Sequence, residues 1–503
     1  MKQTETKSNE YMQINEKPFL GLIPYLLSSI FILVCYIFFY NLALQDEGYG
    51  IEKIMMFTIL AVIFVSLIAA YFNKLSFTKL IAVIILIGII MRLGYMLYTC
   101  YDLRQHDLGE IDSPGHLGYI YTIFKTWQLP SSNSQQFYHP PLFHIFGAIT
   151  MKISSIFTSD ETTLLNSIRL IPCLASSFTL IISYKILKNL QFSKKSIILA
   201  LSIVAVHPTF IILSASINND MLSIFFVALT ILYLIKWYNN KCIKNIVLMA
   251  LALGLGMMTK LSVVLMAPVI ALVFIYAFMK KKRKDKGNLL SQYLIFGAIS
   301  VPLGLWYSIR NFLLFNQSLG YVLKLSTKLK MYLGEKSIVS RFFSFPIAEL
   351  TKNIFPNVES DYNIFIYIIK SSLFGEWSYK GYEIPATFLT VTSMILILVS
   401  LISMVYVFML GKDKRMRFAK WVLGLIFLIQ IASYIKFNID YPFGCTMDFR
   451  YIVITIFTGA AFIAAAYDIL SKRHKHLSNI IFIILCLLIL LFAVSSIWFY
   501  TTI

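Results

Sequence analysis

The stretch Tyr138-His139-Pro140-Pro141-Leu142-Phe143-His144-Ile145-Phe146 opens an apolar run that ends near Thr158, and its reading decides the fold. If 139–158 crosses a bilayer, the basic clusters before and after it fall on opposite sides. If it lies along the surface, they all share one side. The clusters after it are six basic residues between Lys280 and Lys286, five between Lys412 and Lys420, three between Lys472 and Lys475, and the groups Lys188, Lys194, Lys195 and Lys241, Lys244. Cytoplasmic loops concentrate Lys and Arg, so the surface reading is preferred. The residue pattern agrees. Leu142, Ile145, Phe146, Ile149, Ile153 and Phe157 share one helical face, and His144, Ala148, Lys152 and Ser155 the other. That is the two-faced pattern of an interfacial helix. Upstream, Leu117, Ile120, Tyr121, Phe124 and Trp127 oppose Gly118, Thr122, Lys125 and Thr126 in the same way.

Around this loop the chain is built to cross membranes. It is 58% hydrophobic and 14% charged, with a mean hydropathy of +0.75. Soluble domains average about 25% charged. Apolar segments near the length that spans a bilayer, about 20 residues, fall at 19–44, 52–72, 80–100, 162–187, 196–213, 218–237, 243–258, 262–279, 289–313, 386–410, 418–437, 450–470 and 479–500. The net charge of +20 sits largely in short loops, so it marks topology and not nucleic-acid binding. Residues 1–18 are polar without a signal-peptide pattern, so the first span reads as an uncleaved anchor with a cytoplasmic N-terminus. The apolar stretch from Asn245 to Met279 is too long for one crossing, and Thr259-Lys260 interrupts it. A lysine at mid-bilayer costs about 2.5–3.5 kcal/mol, so Lys260 is placed at a turn on the outer face. The six cysteines lack metal-ligand spacing, and a bridge between Cys100 and Cys445 is an open alternative. The expected units are 1–79 with two additional spans, a module 80–313 carrying the first outer loop 101–161, a folded outer region 314–385, and the C-terminal spans 386–503.

Chemistry is expected where polar residues gather at the outer ends of helices. The loop Arg104-Gln105-His106-Asp107-Leu108-Gly109-Glu110-Ile111-Asp112 offers three carboxylates beside a membrane face. A hydroxyl becomes nucleophilic as its proton leaves, and a carboxylate can take that proton. Asp107, Glu110 and Asp112 are therefore the candidate bases, although a solvated acidic loop would look the same. His106 and His116 do not settle the choice, because a lone histidine is more often a hydrogen-bonded packing residue than a ligand. His139 precedes the Pro-Pro helix start, where free amides favour an anion. Asp220 opens a span in Ser216-Ile217-Asn218-Asn219-Asp220-Met221, as a helix-capping acid or a site residue. Lys260, Arg310 and Arg450 are cations flanked by apolar sequence, suited either to a phosphate leaving group or to snorkelling toward headgroups.

The order of these elements resembles the membrane glycosyltransferases of the GT-C fold, especially the protein O-mannosyltransferase and lipid A aminoarabinose transferase group, and broadly family 39. The resemblance rests on the acidic loop followed by Gly115-His116-Leu117-Gly118-Tyr119-Ile120 and Tyr138-His139-Pro140-Pro141-Leu142. It continues through the Asn-Asn-Asp segment, Gly254-Leu255-Gly256-Met257-Met258-Thr259-Lys260 with Ala267-Pro268, and Asp448-Phe449-Arg450-Tyr451. It implies an all-α polytopic membrane protein with about thirteen transmembrane helices and two outer-surface juxtamembrane helices. It further implies inverting transfer from a polyprenyl-phosphate sugar to a glycan, lipid or protein acceptor, with an outer-loop Asp as base and basic residues on the lipid phosphate. Asp107 corresponds best to that base by position. His106-Asp107 stands where the protein mannosyltransferases carry adjacent Asp-Glu. No soluble carbohydrate-binding domain follows the last span, which weakens the case for a protein acceptor. A divalent metal is permitted by His139 and the acidic loop, but their spacing defines no site. The rival reading is a transporter or flippase for a lipid-linked precursor, and an oligosaccharide ligase or polymerase would share the fold. Transporters place charges at mid-span and often carry internal repeats. This chain instead concentrates polar residues at the outer ends of helices and shows no internal repeat.

Overall fold

The computed structural model describes residues 21–45, 49–283 and 286–503. The polar segment 1–18 lies outside the described residues. Among the described residues, 10 helices are long and apolar enough to cross a membrane. A broken pair, Lys194–Val206 and Pro208–Ala215, is bent by 52°, and Ile23–Phe39 and Ile243–Thr259 are shorter apolar helices. Together these fall on the thirteen segments read from the sequence. The span Gly50–Tyr71 is only 11% buried and is peripheral, whereas Glu161–Asn189 and Asp220–Asn239 are 72% buried and central.

The break at His207 has a local cause. Pro208 starts a new helix and forces extended backbone on the residue before it, and His207 sits at φ −69°, ψ 126°. The orphaned carbonyls need donors. Arg92, fully buried in the span Phe77–Tyr98, supplies them: its Nη1 donates to Ala205 O at 2.7 Å and its Nη2 to Val204 O at 3.2 Å. Its Nε donates to Ser176 Oγ at 2.8 Å. A membrane arginine is thus satisfied by backbone and hydroxyl groups, as its cost demands.

The turn at Lys260 forms as expected. Helix Ile243–Thr259 ends there, and Lys260 is extended at φ −151° before Leu261–Leu265 begins the next span. The basic loops meet at one end of the bundle. Arg415 Nη2 lies 3.4 Å from Asp468, Lys472 Nζ lies 3.7 Å from Asp413, and Lys195 Nζ donates to Asn479 at 3.3 Å. Helix Asp220–Asn239 runs from Asp220 toward that basic end, where Lys241, just past its last turn, lines a cavity with Lys414 and Arg417. Its 20 residues make a rod of about 30 Å, one hydrocarbon thickness.

The first loop holds two packed helices, His116–Thr126 and Leu142–Ser154. At about 1.5 Å per residue both are too short to span. The faces of the second are reversed from a simple water-facing reading. His144 and Ala148, on the expected polar face, are completely buried in protein, while Ile153 and Phe157 are exposed. The expected polar face packs on protein at His144 and Ala148 but not at its end, where Lys152 is half-buried and Ser155 exposed, and on the apolar face only Leu142 is buried. In the region 314–385, Asn363 caps helix Ile364–Phe374 by accepting from Phe365 N and Ile366 N at 3.0 Å. Gly375, at φ +65°, then turns the chain so that Glu376 follows. All six cysteines are free, so Cys100 and Cys445 are not bridged.

Candidate active site

The acidic loop is fastened to the helix that follows it. Asp107 O accepts from His116 N at 3.3 Å and Leu108 O from Leu117 N at 2.9 Å, using amides that a helix start leaves unpaired. A Cβ on Gly118 would lie 1.9 Å from Ser113 O, so only glycine lets the loop lie this close. Asp107 itself sits at φ +54°, a left-handed conformation that Asp and Asn tolerate better than most residues. Gln105 ties the loop to the broken helix, accepting from Ile217 N at 2.6 Å and donating to Ala215 O at 3.1 Å.

Four charged residues meet here from four distant segments. Arg450 Nη1 lies 2.8 Å from Asp107 Oδ2 and 3.6 Å from Asp220 Oδ2. Lys260 forms an ion pair with the other oxygen of Asp220. The Asn-Asn-Asp segment positions Asp220. Asn218 Oδ1 accepts from Asp220 N at 3.0 Å, and Asn219 Nδ2 donates to Thr259 O at 3.2 Å, beside Lys260. Tyr451 lies under both cations, 5.2 Å from Lys260 Nζ and 5.1 Å from the Arg450 guanidinium. Asp220 and Arg450 are buried, but the Asp107 side chain is 40% accessible. The Arg450 charge holds the Asp107 carboxyl well below the usual carboxylate range.

A second cluster adjoins the first. His106 Nδ1 is 3.3 Å from Glu376 Oε2 and 3.9 Å from Asp448 Oδ2, with its ring against Trp377 at 4.6 Å. Burial disfavours the charged His106 ring, but the Glu376 hydrogen bond together with the Glu376 and Asp448 charges outweighs it and raises its pKa. Burial pushes the Asp448 carboxyl up to about 6. Asp448 Oδ1 accepts from Arg450 N at 2.8 Å, so one short segment carries parts of both clusters.

His116, His139 and His144 form a third, uncharged group. His116 Nδ1 lies 2.9 Å from His144 Nε2, and the His139 ring stacks over His116 at 5.5 Å. Burial lowers the His116 pKa to about 4 and that of His139 well below its usual value. His139 lies two residues before Pro141, the residue that caps helix Leu142–Ser154, so it is outside the first turn. Arg310 is engaged elsewhere, donating to Pro130 O and Asn311 Oδ1, each at 2.9 Å. Glu110 and Asp112 are exposed. The structure thus brings together Asp107, Asp220, Lys260 and Arg450, places His106 beside them, and leaves Arg310, Glu110 and Asp112 outside that network.

Glu376 and Asp448 were not among the expected site residues. Asp448 was visible in the Asp-Phe-Arg-Tyr segment, and Glu376 stands alone in an aromatic run, but neither signal pairs them with His106.

The fold is that of an all-α polytopic membrane protein of the GT-C type, and the chain is similar to the family 39 glycosyltransferases. A tethered acceptor-peptide structure of the Archaeoglobus fulgidus oligosaccharyltransferase carries the fold comparison, with a TM-score of 0.51 at 13% identity over 86% of this chain and 56% of that one. Residues 138–306 match the family model described as dolichyl-phosphate-mannose-protein mannosyltransferase. Archaeal AglB from Archaeoglobus fulgidus, solved with an inhibitory peptide and a dolichol-phosphate, gives a TM-score of 0.48 at 15% identity over 86% of this chain and 56% of that one. ArnT from Cupriavidus metallidurans in the apo state gives 0.36 at 12% identity over 80% and 78%. The chain therefore spans little more than half the length of the oligosaccharyltransferases it resembles. No curated protein sequence matches it.

Proposed function

We propose that the chain is a membrane glycosyltransferase that moves a sugar from a polyprenyl-phosphate donor to an acceptor, with inversion, at the face opposite its basic loops. Basic loops mark the cytoplasm, which makes that face the outer one. The observation that carries the reading is the Asp107–Arg450–Asp220–Lys260 network. It sets one accessible carboxylate against two cations that Asp220 holds together. Asp107 takes the acceptor hydroxyl proton as the oxygen attacks the anomeric carbon. The bond to phosphate breaks, and the polyprenyl phosphate leaves toward Lys260 and Arg450. Fixed cations help most where negative charge develops. Arg450 also links the two tasks. Paired with it, Asp107 is ionised but a weak base. A donor phosphate that draws on Arg450 loosens that pair and raises the affinity of Asp107 for a proton.

The test is mass spectrometry of envelope glycans and glycolipids from cells with the chain, without it, and with Asp107→Asn in its place. A product present only with the wild-type chain supports the reading. Identical profiles in all three would sink it.

A further inference from the structure

We propose that His106, Glu376 and Asp448 form a binding site for one divalent transition-metal ion beside the Asp107–Arg450 pair. The inference does not rest on the transfer reaction. Among the described residues, this is the group that brings three donor atoms of His, Cys, Asp or Glu within 4.8 Å of one another. The two edges that His106 makes fit an ion. Metal–ligand bonds of about 2.1 Å put neighbouring donors about 3 Å apart and opposite donors about 4.2 Å apart. His106 Nδ1 is 3.3 Å from Glu376 Oε2 and 3.9 Å from Asp448 Oδ2.

Two further observations point the same way. Asp448 Oδ2 and Glu376 Oε1 are buried and have no hydrogen-bond partner. Buried carboxylate oxygens are normally satisfied, and an absent ion is one reason for an exception. Charge gives the second. Asp107, Asp220, Glu376 and Asp448 are four carboxylates, facing two permanent cations, Lys260 and Arg450. With His106 neutral, as a metal-bound imidazole is, a divalent ion closes that deficit of two. The rival is a bare histidine–carboxylate hydrogen bond, which leaves the two orphaned oxygens unexplained. One imidazole nitrogen with two carboxylates suits Mn²⁺ or Zn²⁺ better than an all-oxygen ion such as Ca²⁺. The Glu376 side chain is 21% accessible, so the remaining coordination positions open on one side.

The full chain, purified in detergent and stripped with chelator, is titrated with Mn²⁺ while free Mn²⁺ is read by electron paramagnetic resonance. Zn²⁺ is followed in parallel by equilibrium dialysis and metal analysis. The expected result is saturable binding of about one ion per chain, weakened at least about tenfold by Glu376→Gln and by Asp448→Asn, and unchanged by Glu110→Gln. Size-exclusion profiles establish that each variant is folded. Should Asp448→Asn fail to fold, Glu376→Gln decides alone, because its side chain is the accessible one. No saturable binding of either ion, or binding that survives Glu376→Gln unchanged, overturns the proposal. Neither result depends on knowing a sugar donor.

Discussion

Replacing Asp220 by Asn isolates the contact that holds the two cations of the site together. Asp220 is 2% exposed and touches Lys260 and Arg450. Breaking a buried pair by removing one partner costs about 3–5 kcal/mol, because a charge is left uncompensated. Asn keeps the shape and still accepts from Lys260, and the Lys260 side chain is 14% accessible. The lower end, about 3 kcal/mol, is therefore expected. With an unfolding entropy of about 2.1 cal/mol/K per residue, a chain of this size loses about 1 kcal/mol per degree, so the midpoint falls by about 3 °C. A thiol-reactive dye reads this in a background where the five half-buried cysteines are replaced by serine or alanine. Cys173 is fully buried in helix Leu170–Asn189, which packs on helix Asp220–Asn239, and reacts only as that core opens. Lys260→Met is measured alone and combined with Asp220→Asn. If the pair is coupled, the double variant loses about 1–3 kcal/mol less than the sum of the single losses. Losses that add within about 0.5 kcal/mol would refute the coupling and with it the idea that Asp220 organises the cations.

Other outcomes follow from the same geometry. Gly118→Ala drives a methyl into Ser113 O, so the acidic loop must move, and activity is expected to fall more than abundance measured by immunoblot. Glu110→Gln and Asp112→Asn, both exposed, should change the unfolding midpoint by less than about 0.5 kcal/mol equivalent and leave turnover near wild type. Arg310→Ala removes the bond to Pro130 O, and is expected to lower thermal stability without raising the KM for donor. The His116 pKa is lowered to about 4 in the folded chain, against an unfolded value of about 6.5. Below pH 6.5 the unfolded chain takes up a proton that folded His116 refuses, so its contribution favours unfolding as pH falls toward 4. His116→Gln should therefore flatten the melting temperature against pH between 6.5 and 4, and an unchanged slope would count against the assignment.

The sequence conveys spans better than it conveys partners. Bilayer length and charge cost are local quantities, so the thirteen segments and the turn at Lys260 could be read from windows of residues. The Asn-Asn-Asp and Asp-Phe-Arg-Tyr segments could be flagged as polar residues at helix ends. Their meeting could not, because Asp107 and Arg450 are 343 residues apart and His106 and Glu376 are 270 apart. Periodicity gave two faces to helix Leu142–Ser154 without saying which meets protein. In a membrane both neighbours of an apolar face can be apolar, so pattern alone leaves the choice open. Arg92 shows the same limit. Its place in a span is visible, but the carbonyls that satisfy it come from a helix broken more than a hundred residues later.

The central claim is that Asp107 acts as base beside a phosphate held by Lys260 and Arg450. It is tested most directly with purified full chain in lipid nanodiscs, supplied with a panel of synthetic polyprenyl-phosphate sugars and with an envelope glycan and lipid extract as the source of acceptor hydroxyls. Release of free polyprenyl phosphate is followed by mass spectrometry in wild type and Asp107→Asn. Asn keeps the size and tolerates the left-handed backbone at this position, so the variant removes basicity with little strain. The account predicts turnover of at least one donor by the wild type, and a loss of about 100-fold or more in Asp107→Asn, the range that a general base supplies. Equal turnover by the two proteins would contradict it.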